Sequence, residues 1–147
     1  TPRTQHQPQE PMMRKHDERG AIAVWASVAF FAFMIAIGIG VDFSGHARAE
    51  QELRTVAREA ARTGAQEASV VIDDAKLDPI RAAAAAQRYL HATGYNGTAT
   101  VTGGKTVEVR LRDTYSCKFL SIIGIHTLPT KGAGQAIMQP AYEGRPG

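Results

Sequence analysis

The chain has 147 residues, with 17 basic and 14 acidic side chains and a net charge of +3. Once a polar N-terminal arm and a long apolar run are set aside, about 100 residues remain, enough for one small domain with a modest core and too few for two. The basic residues are scattered and carry no interleaved aromatics, which argues against a nucleic-acid platform, and the single cysteine, Cys117, excludes an internal disulfide.

Residues 1–20, TPRTQHQPQEPMMRKHDERG, hold three prolines and no periodicity, and read as a disordered cytoplasmic tail or leader, with Met12 or Met13 a candidate start. Residues 21–41 then carry no charged side chain. As a helix this run is roughly 30 Å long, the thickness of a bilayer's hydrocarbon core. A secretion signal has a shorter apolar region of about 7 to 15 residues with a small-residue cleavage site close behind it. The nearest such site here, Ala47-Arg48-Ala49, lies well past Val41. The run therefore reads as a membrane span. Arg3, Arg14, Lys15 and Arg19 before it slightly outnumber Arg48, Arg54 and Arg58 after it, which favours an inside N-terminus and an extracytoplasmic C-terminal part. Within the span Ala32, Ala36 and Gly40 fall four apart and form a candidate ridge for packing on another helix, while Trp25 suits an interfacial anchor.

Helical patterning continues beyond the span, so one long helix is predicted over residues 21–71. Leu53, Val56, Ala57, Ala60, Ala61, Gly64, Ala65 and Ala68 recur at spacings of three and four, with Glu52, Arg54, Arg58, Glu59, Arg62 and Glu67 on the other faces. The small residues Ala57, Ala60, Gly64 and Ala68, together with Leu53, allow close backbone approach, either by this chain's own second helix or by a partner. That second helix is predicted between an Asp78 N-cap with Pro79 at the first position and a Gly94 stop, folding back on the first and burying Ile80, Ala83, Ala84, Tyr89 and Leu90.

The period then becomes two. Val107, Val109 and Leu111 alternate with Glu108, Arg110 and Arg112, marking a strand with one buried face. A three-residue Gly103-Gly104-Lys105 turn sets Val101 opposite Val107 and Ala99 opposite Val109, whereas a two-residue turn would set Thr100 opposite Val107. A short helical turn is expected at Phe119 to Ile123, followed by a closing edge strand from about Thr127 to Met138, weakened by Pro129 and nearby glycines.

Catalytic constellations are scarce. TGGKT lacks the upstream glycine of a phosphate loop and sits in a hairpin. His6, His16, His46, His91 and His126 show no metal-ligand spacing, Asp73-Asp74 reads as a solvated loop or helix end, and Cys117 reads as a semi-buried structural thiol without a neighbouring base. No cofactor, metal or enzymatic activity is expected.

The Arg-Gly before the span, the Val41-Asp42 exit, the Ala-rich stalk, the Thr/Val hairpin and the late FLSIIGI segment, in that order, resemble the TadE/TadG-like proteins of tight-adherence (Flp) pilus systems, over roughly residues 19–141. The resemblance implies an α+β, pilin-like subunit: arm 1–20, span 21–41, extracytoplasmic stalk helix 42–72, α+β head 73–141 with about three antiparallel strands, and tail 142–147. It implies a membrane-inserted minor pilin or pseudopilin whose partners are other pilins, the assembly machinery and membrane lipid. Gly20 and Ala21 match a prepilin cleavage position, but Trp25 stands where such substrates carry Glu. That departure favours an unprocessed assembly factor. The competing reading is a binding or adhesin domain released by signal peptidase.

Overall fold

The computed structural model describes residues 17–69 and 78–139. The expectations for the arm before residue 17, for Asp73-Asp74 and for the tail from residue 140 lie outside the described residues. The chain divides into two units, one up to Ile37 and one from Gly38 onward. In order, the elements are α1 (Asp17–Ser69), α2 (Pro79–Thr93), β1 (Gly97–Thr102), β2 (Thr106–Ser116), a single 3₁₀ turn (Leu120–Ile123) and β3 (Thr127–Ile137). The architecture is α+β, with one three-stranded antiparallel sheet in the order β1-β2-β3.

In the first unit, α1 presents its apolar side chains outward: Ile22, Val24, Trp25, Val28, Phe30, Phe31, Phe33, Met34, Ile35 and Ile37 are all exposed. A helix segment apolar on all sides, with these side chains left open among the described residues, is suited to lipid or to other apolar helices. It is long and apolar enough to cross a membrane.

The second unit is a small layered head. α2 is fixed at both ends by its sequence. Asp78 is extended and its carboxylate accepts hydrogen bonds from the Ile80 and Arg81 amides at 3.0 and 3.2 Å, with Pro79 at the first turn. At the other end Gly94 takes φ 78°, and the Gly94 and Tyr95 N–H groups close onto the His91 and Leu90 carbonyls. The buried face of α2 differs from the expected one: Ala82, Ala85, Ala86 and Leu90 are buried, whereas Ile80 is 80% exposed and Ala84 faces solvent. Five consecutive alanines give no apolar contrast by which to choose a face. Its phase is set instead by the Ala82, Ala86 and Leu90 column at four-residue spacing.

The hairpin follows the three-residue turn. Val101 pairs with Val107, Ala99 with Val109 and Gly97 with Leu111, and Gly103 and Gly104 occupy left-handed conformations at φ 62° and 68°. Val107, Val109 and Leu111 are buried on one face with Leu53, Leu90, Met138 and the alanines of both helices. β3 lies at the sheet edge with Gly134 opposite Val109 and Gly132 opposite Leu111. These glycines belong to the packing. A Cβ on Gly132 would fall 2.5 Å from the Leu53 carbonyl carbon, and one on Gly134 only 2.6 Å from the Ala57 carbonyl oxygen. Two residues of strand advance about 6.8 Å and four residues of helix about 6.0 Å, so the Gly132, Gly134 pair keeps step with Leu53 and Ala57. Bare backbone on β3 lets α1 lie directly on the sheet. At the far end of the same helix, Gly64 does the same for α2, with the Ala82 carbonyl 2.6 Å from where its Cβ would stand.

Candidate functional site

Below the sheet, the face of α1 that begins at Gly38 meets the segment between β2 and β3. Gly38 is buried against the Phe119 side chain, whose Cβ lies 2.9 Å from where a Gly38 Cβ would be. One turn later Asp42 is fully enclosed, at 0% exposure. Its carboxylate accepts three backbone hydrogen bonds, from Lys118 N–H at 2.7 Å, Phe119 N–H at 2.8 Å and Leu120 N–H at 2.7 Å. Gly45 then gives way to the Tyr115 hydroxyl. His46 Nε2 lies 3.0 Å from the Pro129 carbonyl, with its ring edge-on to Tyr115. Residues 38, 42, 45 and 46 recur at helical spacing, and this stripe continues directly into Leu53 and Ala57.

A buried carboxylate is stable only when its charge is answered, and three converging N–H donors answer it here. Burial alone would push the Asp42 carboxyl up, but the Leu120, Lys118 and Phe119 amides and the Lys118 ammonium outweigh it and hold the group below its ordinary value. The same three bonds satisfy the donors that open the Leu120–Ile123 turn. That turn ends at Gly124, φ 92°, whose N–H reaches the Ser121 carbonyl, while Ile122 N–H bonds Phe119 O and Ile125 N–H bonds Leu120 O. Cys117 N–H to His126 O, 2.8 Å, closes the base of the loop. Asp42 is thus a clamp that fixes residues 118–125 beside the last turn of the apolar run.

Cys117 is buried at this base, and burial together with the neighbouring Asp42 charge pushes its thiol up, away from the reactive thiolate. The stalk residues Leu53, Ala57, Ala60, Gly64 and Ala68 are buried within the second unit. Gly20, Ala21, Trp25, Ala32, Ala36 and Gly40 are exposed, and a Cβ on Gly20 or Gly40 would meet nothing within 4 Å. A cleft of about 250 Å³ between α1 and β2 is lined by Glu52, Tyr95, Asp113, Tyr115 and Thr130. In it Tyr95 donates to Glu52 at 2.6 Å, a bond that, with partial burial and the nearby carboxylates, pushes the phenol up. Among the described residues no group of three or more His, Cys, Asp or Glu is placed to hold a metal ion.

In the sequence Val41-Asp42 and the FLSIIGI segment stand out separately, and nothing in it joins them. The available signal was a lone carboxylate at the end of a long apolar run, a position that demands a partner. The partner is backbone, which leaves no trace in side-chain identity.

An apolar helix with an α+β head folded onto its C-terminal half defines a class of candidate single-span proteins with a small soluble domain. Within that class, residues 20–67 match the family model described as "Putative Flp pilus-assembly TadE/G-like". The matched segment runs from the start of the apolar run through Asp42 and most of the buried stalk face. No curated protein and no solved structure matches the chain.

Proposed function

We propose that this chain is a membrane-inserted, minor pilin-like subunit that takes part in assembling Flp pili. The observation that carries the reading is the TadE/G-like match over residues 20–67. It is supported by the exposed apolar surface of the first unit and by a head whose core is built onto the helix that follows. The span is held by lipid and by partner helices, for which Ala32, Ala36 and Gly40 leave a low ridge. The stripe at Ala57, Ala60, Gly64 and Ala68 is taken up by the chain's own α2 and sheet, so partner contacts of the head fall on other surfaces. The head lies outside the cytoplasm, and the chain is retained unprocessed at Gly20, where Trp25 in place of a carboxylate offers no counter-charge to a freed N-terminal ammonium in an apolar filament.

Release by signal peptidase after Ala49 is weighed against by the fold: it would remove Gly38, Asp42, Gly45 and His46, which pack on or bond to the head. Expression of the full chain in its native host, followed by carbonate extraction, mass measurement of the recovered chain, and pull-down with Flp pilins, tests the proposal. Membrane retention of an intact chain, co-purification with pilins and loss of surface pili on deletion are the expected results. A soluble product beginning at Glu50, or normal piliation without the protein, overturns it.

A further inference from the structure

The loop that Asp42 fixes in place exposes strongly apolar side chains at its tip. Ile122 is 81% and Ile123 65% exposed, and Ile125 and Phe119 are also open. Soluble surfaces rarely concentrate aliphatic side chains in this way without a use for them. The loop sits beside Gly38, in the final turn of the uncharged run, where Ile39, Val41 and Phe43 of α1 are exposed as well. Phe119 thus ties the apolar loop to the turn of α1 in which the uncharged run ends.

We infer that residues 119–125 form a second, shallow membrane anchor, an apolar wedge that enters the lipid interface on the C-terminal side of the span. Backbone chemistry favours lipid over a protein partner as the occupant. Chain entering hydrocarbon must satisfy its own polar groups. Here the Lys118, Phe119 and Leu120 amides are taken by Asp42, and the Ile122, Gly124 and Ile125 amides by carbonyls within the loop. The Ser121 hydroxyl turns inward onto Lys118 O at 2.8 Å. With these donors taken internally, the tip gives up less hydration on entering lipid than an open loop would, and it offers a partner protein few free donors to recognise. Lys118 is exposed at the rim, as suits an interfacial residue whose ammonium stays at the headgroups. The wedge would set both depth and rotation of the head: a single helix is free to rotate about its axis, whereas a helix with a lateral apolar foot is not.

This inference rests on the membrane reading of the span, and the test separates the two. The full chain carrying Cys117→Ser is reconstituted in phosphatidylcholine/phosphatidylglycerol vesicles, with a nitroxide attached in turn at Phe33→Cys, Ile122→Cys and Lys105→Cys. Collision with oxygen and with a water-soluble nickel complex is measured by electron paramagnetic resonance. The Phe33 label reports the span, Lys105 the distant hairpin turn, and Ile122 the wedge. The expected result is an oxygen-to-nickel ratio at Ile122 several-fold above that at Lys105 and approaching that at Phe33. A lipid-like Phe33 with a water-like Ile122 overturns the wedge alone. An Ile122 shielded from both reagents, with a spectrum that depends on protein-to-lipid ratio, assigns the loop to protein contacts and overturns it equally. A water-like Phe33 overturns the membrane reading and the wedge with it.

Discussion

Adding one methyl group at Gly134 tests how closely α1 and β3 are fitted. In Gly134→Ala the new Cβ would stand 2.6 Å from the Ala57 carbonyl oxygen, about 0.7 Å short of the roughly 3.3 Å at which carbon and carbonyl oxygen ordinarily meet. The obstructing atoms are helix backbone, so no rotamer change relieves the overlap and α1 must lift from the sheet. Overpacking of this kind costs about 1 to 3 kcal/mol, which for a head of this size corresponds to a fall in Tm of roughly 5 to 20 °C. Melting of the full chain in detergent, followed by the near-ultraviolet circular dichroism of Tyr89, Tyr95 and Tyr115, reads the effect. Ala133→Val, on the exposed face of β3 between the two glycines, is the control and should melt like the parent. Because one displacement of the helix relieves both sites, Gly132→Ala combined with Gly134→Ala should cost less than the two single losses together. Melting of Gly134→Ala within about 2 °C of the parent, or an equal loss in Ala133→Val, would refute the close-approach account.

Acid should loosen the loop through Asp42. Its carboxyl is held below the ordinary value of 3.8, so its contribution is present above about pH 4 and is lost as pH falls through the lowered folded value; a nitroxide at Ile122 should narrow on acidification in the parent and be narrow throughout in Asp42→Asn. A line in Asp42→Asn as broad as the parent's at neutral pH would exclude the carboxylate as the clamp. The hairpin gives a third expectation: a two-residue polar insertion at Gly104 should leave the Tm nearly unchanged, while Val107→Asp places an unpartnered carboxylate among Leu90, Val109 and Met138 and should cost several kcal/mol, enough to abolish folding. Equal solubility and equal melting of the two would contradict the observed register.

What the sequence made legible was whatever local chemistry enforces. The caps of α2 were readable because Asp78, Pro79 and Gly94 each satisfy a need of the helix end beside them. The pairing of Val101 with Val107 was readable because a one-residue slip would turn every valine to the wrong face. The face of α2 was not readable, since alanines alone do not point. Gly132 and Gly134 looked like a weakness in an edge strand, and only the path of α1, some eighty residues earlier in the chain, shows that they make room for a helix. Asp42 is the sharpest case. Its position at the end of the apolar run is legible, but its ligands are three backbone amides, which any non-proline residues could supply.

The alanine-built core has a thermal consequence. Seven of the thirteen residues that form it are alanine, so unfolding the head uncovers little apolar area for the amount of peptide backbone it hydrates. Apolar exposure raises the heat capacity of the unfolded chain and polar exposure lowers it, and the balance here falls below the usual 12–15 cal/mol/K per residue or so. A small heat-capacity difference flattens the curve of stability against temperature. The head therefore keeps nearly the same margin in a cold environment as in a warm one, and a domain built this way holds its shape across wide swings of temperature.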